Sequence, residues 1–460
     1  MSVLGSPRGV RGASGSRWIT LTGLAVLSIV ASACGSAATQ APATQAAASQ
    51  AGASQAGASQ AAASQAAVSG AVTVGSNQSD ANPKAAYASL INSCASQIGV
   101  TATINTTDHG KFQDAISSYL QGTPDDVFTW FSGYRMQFFA AQGLATDISD
   151  VWAQIGSHFS DAMKAASTGA DGKQYFVPIY NYPWVVIYRK SVFAAHSYQV
   201  PKTWDEFIAL AAKMKTDGLI PVAFADKDGW PAMGTFDILN MRLNGYQFHV
   251  DLMAGKQKWT DPKVANVFTT WAKVLPYYQT GALGLTWQEA AQALVNKKAG
   301  MYFLGTFAGQ QATPADIPDL DFFAFPTLGT SFDSESAIDA PIDGLMLSKA
   351  PKNLAGAKAL LACVGTPAAE NLYMKSDSND VAAAKDADTS GYNDFQKKSA
   401  EIIGSSQKIA QFLDRDTRPD FAGPNGMQHF LQSWLSNPTQ DSTTFLQSIQ
   451  SFYDQLPPLQ

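Results

Sequence analysis

Three cysteines and five histidines in 460 residues leave little material for metal or redox chemistry. Cys34, Cys94 and Cys363 form no C-x-x-C pair, and the histidines are scattered, none at metal-ligand spacing. G-x-S-x-G and H-E-x-x-H are both absent, which removes the commonest hydrolase signatures. The stretch opened by Asp386 (DADTSG) begins like a calcium loop, but its twelfth position is Lys397 where a bidentate Glu is needed, so neither metal nor cofactor is expected. A basic run is also missing: 31 Lys and Arg face 37 Asp and Glu, for a formal charge of −6, which argues against nucleic acid as a partner. Residues 35–70 contain no aromatic and no charged side chain. Such a stretch cannot bury enough surface to offset its ordering entropy, and it reads as a mobile linker.

The N-terminus supplies an address instead. Arg8, Arg11 and Arg17 precede an apolar run over 18–33 that is too short to span a bilayer comfortably and ends in small residues, the layout of a secretory signal. Ala31-Ser32-Ala33-Cys34-Gly35 resembles a bacterial lipobox, with Ala31 in place of the usual Leu. Residues 1–33 are therefore expected to be a lipoprotein signal peptide, with Cys34 lipidated and 34–70 a tether to the outer face of the membrane. As a flexible coil it reaches roughly 30–35 Å. Removing the three arginines from the 31 basic residues leaves 28 against 37 acidic ones, a formal charge of −9.

Core material is plentiful, 46% hydrophobic and 11% aromatic over the whole chain, enough for two cores. Val72–Val74 reads as a strand; Tyr87, Leu90, Ile91, Cys94 and Ile98 then recur on one helical face. A strand over 100–104, a helix around Phe112, Ile116 and Leu120, and a strand over 126–131 continue the alternation, which argues for βαβ units. Thr203 with Glu206, and Thr286 with Glu289, are spaced as capping boxes, and Asp261-Pro262 is a helix start whose buried face runs through Val264, Phe268 and Trp271 to Leu275 and Tyr278. Residues 175–178 read as a strand stopped by Pro178, and WVVIY at 184–188 as a buried one. Cys94 and Cys363 are either a disulfide of an exported protein or two buried thiols.

Residues 172–206 carry G-K-x-Y-x-V-P, then Y-R-K, then P-K-T-W-D-E in one order. That order resembles the sugar-binding lipoproteins of bacterial ABC importers, the maltose-binding-protein-like family 1 extracellular solute-binding proteins. The resemblance implies an α/β fold of two discontinuous lobes joined by a hinge with a ligand cleft between them. The first lobe is placed at 71–183 plus 341–366 and the second at 184–340 plus 367–460.

The resemblance also implies the site. Trp130, after P-D-D-V-F-T, matches a family strand that opens into the cleft, and Trp230 lies in a polar D-K-D-G-W-P loop. Tyr182 and Trp184 fall in the hinge segment, and Gly305-Thr306-Phe307 resembles a family G-x-W turn with Phe307 replacing the tryptophan. Asp343, Arg415 and Asp416 are the expected polar partners; Asp237, Asn240 and Arg242 are candidates on a helix, and His109 lies near a cleft-facing turn. A sugar presents hydroxyls and an apolar C–H face, so aromatic rings and charged acceptors or donors suit it.

The expected function is capture of a sugar or oligosaccharide and delivery to the transmembrane subunits of an ABC permease, by a lipid-anchored monomer outside the cytoplasm and without catalysis. A glycerophosphate receptor is the first alternative and needs a cluster of Arg or Lys in the cleft. A secreted glycoside hydrolase is the second and needs two carboxylates about 5 to 10 Å apart.

Overall fold

A computed structural model describes residues 68–457. The signal segment, Cys34 and nearly all of the linker lie outside the described residues. The strands, in chain order, are β1 Ala71–Ser76, β2 Thr101–Thr106, β3 Val127–Phe131, β4 Phe176–Asn181, β5 Trp184–Arg189, β6 Ile220–Ala223, β7 Ala299–Gly305, β8 Leu320–Phe323, β9 Ala337–Asp339, β10 Ile342–Leu347, β11 Val381–Ala382 and β12 Lys408–Ala410. One sheet has the order β11-β4-β10-β3-β1-β2, another β6-β7-β5-β8, and β12 pairs with β9. Each larger sheet is packed with helices, giving two α/β lobes.

In the first lobe β1 is parallel to β2 and β3, as βαβ connections require, whereas β10 enters antiparallel between β3 and β4. The helix Ala81–Ile98 buries Tyr87, Leu90, Ile91 and Cys94, and the helix His109–Gln121 buries Phe112, Ile116 and Leu120, the faces marked by their spacing. In the second lobe both capping boxes form, Thr203 with Glu206 and Thr286 with Glu289.

Four expectations need correction. β4 runs through Pro178, because the proline sits beside a register irregularity with β10, one of the places where a strand tolerates it. The helix Pro262–Trp271 stops before Leu275 and Tyr278, and Pro276 in the 3₁₀ turn Leu275–Tyr277 cannot extend it. The helix opened by Thr286, which its sequence pattern would carry to about Lys298, ends at Val295. Residues 367–382 belong with the first lobe: the helix Pro367–Ser376 packs on Ala81–Ile98, and β11 pairs with β4. The chain re-enters the second lobe only before the helix Asp394–Ser405, which packs on β8.

Between the sheets the chain passes from β4 to β5 through Tyr182-Pro183, and from β9 to β10 through Ala340-Pro341. Cys94 and Cys363 form a disulfide between the helices Ala81–Ile98 and Leu354–Val364, with Cα atoms 5.7 Å apart. No described helix is long and apolar enough to cross a membrane.

Candidate functional site

The strand ends and crossings of both lobes converge on one cleft with an empty volume of about 700 Å³, open solvent included. Its hydrophobic wall is built at the start of β5 and the end of β7. Trp184 pairs with Gly305, and a Cβ at Gly305 would lie 2.4 Å from the Phe307 ring and 2.8 Å from the Tyr182 ring, so only glycine lets both approach. Gly234 does the same for Trp184, whose ring carbon would sit 2.3 Å from a Cβ there. Trp184 stacks on Phe412 with centroids 4.7 Å apart and meets Trp230 edge-on at 6.3 Å. Phe307 is edge-on to Tyr182 at 4.9 Å and to Trp287 at 5.1 Å. The result is a box of aromatic faces and edges.

The polar side comes from β4, β10 and the short helix Leu413–Asp416. Arg415 Nη1 donates to Asp343 Oδ1 at 2.7 Å and Nη2 donates to the Tyr182 hydroxyl at 2.9 Å, while the Tyr180 hydroxyl donates to Asp343 Oδ2 at 3.1 Å. The Arg415 guanidinium also lies 4.3 Å from the Phe131 ring centroid. Burial alone lowers the Arg415 pKa; Asp343, Tyr182 and Asp414 more than reverse this and hold the guanidinium above its ordinary value. Burial pushes the Tyr182 hydroxyl well up and the His109 ring down, the latter against the pull of Asp343 and Asp80. A second ion pair, Arg135 Nη1 to Asp414 Oδ2 at 2.7 Å, joins the lobes. Asn77 Oδ1, Trp184 Nε1 and Asp414 Oδ1 are buried in residues that line the cleft and have no hydrogen-bond partner within the protein.

Tyr182, Trp184, Trp230, Phe307, Asp343 and Arg415 all line this cleft, and so does His109. Trp130 does not. It is 1% exposed, packed between Phe112 and Phe139, with its Nε1 donating to the Arg135 carbonyl at 3.1 Å. Side chains alternate along β3, so Trp130 points with Phe128 into the helices, and its neighbour Phe131 reaches the cleft. Asp416 also stands behind the wall, accepting from the Gln411 amide at 2.9 Å. Asp237, Asn240 and Arg242 are buried in the helix Pro231–Asn244 and do not line the cleft. Trp287, Phe412, Asp414, Asp80 and Tyr180 were not expected there; the D-R-D triplet around Arg415 was the available signal for Asp414, and Phe412 had none.

Two α/β lobes with an aromatic and ion-paired cleft at their hinge define a solute receptor. The profile of the bacterial extracellular solute-binding proteins matches residues 97–371, more than half of the chain, and the chain belongs to that family. Among solved structures, the bacterial solute receptor AcbH is 51% identical with a TM-score of 0.82, covering 84% of this chain and 98% of its own; an exclusive preference for β-D-galactopyranose is described for it. A chitin oligosaccharide binding protein, 22% identical with a TM-score of 0.73 over 83% of this chain and 98% of its own, shares the fold. An uncharacterized ABC transporter extracellular-binding protein of Pyrococcus horikoshii is 26% identical over 295 residues, 63% of this chain. The chain spans 65% of that relative's length.

Proposed function

We propose that the protein is a receptor for a single hexopyranose, foremost β-D-galactopyranose, which it captures in the interlobe cleft and hands to the membrane subunits of an ABC importer. The observation that carries this reading is the cleft itself: aromatic faces for a sugar's C–H surface beside carboxylates, an amide and an indole N–H for its hydroxyls. Likeness to AcbH at 51% identity over nearly all of that chain supports the ligand class. Direct bonds between the lobes favour a short ligand over a chain: Asn82 Nδ2 donates to the Gln310 carbonyl at 2.8 Å, Gln288 Nε2 to Asp80 at 3.2 Å, and Arg135 to Asp414. A phosphate ester fits less well, because Arg135 and Arg415, the arginines of the cleft, are already engaged by Asp414 and Asp343. Catalysis is not proposed for a member of a receptor family.

Thermal denaturation of the full chain with D-galactose, maltotriose and glycerol 3-phosphate tests the reading. Galactose at about 100 times its Kd is expected to add about 2.7 kcal/mol of stability and the other two nothing. Stabilisation by maltotriose or the phosphate ester alone, or turnover of any of them, refutes it. The lipid anchor is supported by the lipobox-like segment, and Cys34→Ala is expected to move the protein from the membrane fraction to the medium.

A further inference from the structure

Phe412 stacks on Trp184 in the cleft wall, yet its backbone lies at φ 133°, ψ 147°, a region that essentially only glycine occupies. A strained conformation of this kind persists only when its surroundings over-determine it. Two carboxylates do so here, the buried Asp237 and the half-buried Asp416. Asp416 Oδ2 accepts from the Gln411 amide at 2.9 Å and from the Phe412 amide at 3.4 Å, and Asp237 Oδ2 accepts from the Leu413 amide at 2.7 Å. Three consecutive amides are thus tied to carboxylates that do not line the cleft. The Phe412 carbonyl, in turn, accepts from the Arg415 and Asp416 amides at 2.8 Å each, which fixes the turn that aims Asp414 and Arg415 at the cleft. Asp237 belongs to the helix Pro231–Asn244, a rigid element, and is completely buried.

We propose that Asp416 and Asp237 are positioning residues: without touching ligand, they clamp the 411–413 backbone in a conformation Phe412 does not adopt unaided, and so set the Phe412 ring, Asp414 and Arg415 in place for sugar binding. The link to sugar rests on the function proposed above, whereas the clamp itself stands on the hydrogen bonds. Asparagine keeps an acceptor oxygen in the same place and alanine does not.

The test compares Asp416→Ala, Asp416→Asn and Asp237→Asn in the full chain, by amide hydrogen exchange over residues 408–417 and by calorimetric titration with D-galactose. Asp416→Ala is expected to speed exchange in that peptide and to weaken galactose binding about tenfold, while the two Asn variants retain most of both. Unchanged exchange in Asp416→Ala overturns the clamp. Faster exchange with unaltered affinity overturns the positioning role. Should the wild-type protein take up no galactose, the proposed ligand fails separately, and the near-ultraviolet circular dichroism of the Trp184–Phe412 stack replaces affinity; an unchanged band in Asp416→Ala then overturns the inference.

Discussion

Two tryptophans expected to perform the same task stand in different surroundings, one in the core and one at the cleft, and truncating each to alanine separates them. Trp130 is 1% exposed and holds together the layer between β3 and the helices His109–Gln121 and Tyr134–Ala141, touching Phe112, Phe131 and Phe139 with Arg135 across its face at 4.7 Å. Loss of such a ring costs about 3 to 5 kcal/mol of folding free energy. With an unfolding entropy of about 2.1 cal/mol/K per residue over roughly 390 described residues, this lowers Tm by about 4 to 6 °C. Trp230 is only partly buried, stands edge-on to Trp184 and lines the cleft, so its replacement leaves Tm within about 1 °C but removes about 1 to 3 kcal/mol of sugar binding, or roughly 5- to 150-fold in Kd. Differential scanning calorimetry and titration calorimetry on both variants give the two quantities. The reasoning is refuted if Trp130→Ala loses affinity at unchanged Tm, or if Trp230→Ala lowers Tm as Trp130→Ala does while its folded fraction binds normally.

Arg415→Ala leaves Asp343 buried without its cation and is expected to cost about 3 to 5 kcal/mol of stability together with most sugar binding, whereas Asp343→Asn costs less of both; equal and small Tm shifts in the two variants would contradict the ion-pair account. Reduction of the Cys94–Cys363 disulfide, which closes a sequence separation of 269 residues, is expected to lower stability by about 2 to 5 kcal/mol and leave affinity unchanged, since neither cysteine lines the cleft; a Tm insensitive to reductant refutes this. Burial raises Asp416 and Asp377 to about 6 in the folded protein. A raised carboxyl favours the folded state below its unfolded pKa, and the contribution, about 3 kcal/mol each, disappears as pH climbs through about 6. Tm is therefore expected to fall between pH 4 and 6.5, less steeply in Asp416→Asn, and a rise over that interval would refute the assignment.

Local features were the most legible. Capping boxes at Thr203 and Thr286 appear as drawn because both partners are three residues apart and need nothing from the rest of the chain. Helical faces such as Phe112, Ile116 and Leu120 were readable because one side is wet and the other dry. β3 offered no such contrast. Its five residues, VFTWF, are all buried, so parity along the strand left open whether Trp130 or Phe131 would face the cleft. Asp416 was misjudged for a related reason: Asp414, Arg415 and Asp416 form one short turn, and which of three adjacent charges looks outward depends on how that turn is docked.

By itself, then, the amino-acid order determined the alternation of strands and helices, the hinge segment at Tyr182-Pro183-Trp184, the family motifs over 172–206 and the aromatic character of the site, because each depends on neighbours within a few residues or on the chemistry of a side chain alone. Only the tertiary structure decided that Cys94 meets Cys363, that residues 367–382 return to the first lobe, that Trp130 turns inward, and that the segment carrying Phe412 against Trp184 is tied to Asp237 of a distant helix. Those outcomes join segments separated by up to 269 positions, and the free energy that selects them is packing and burial between surfaces that exist only once both lobes have formed.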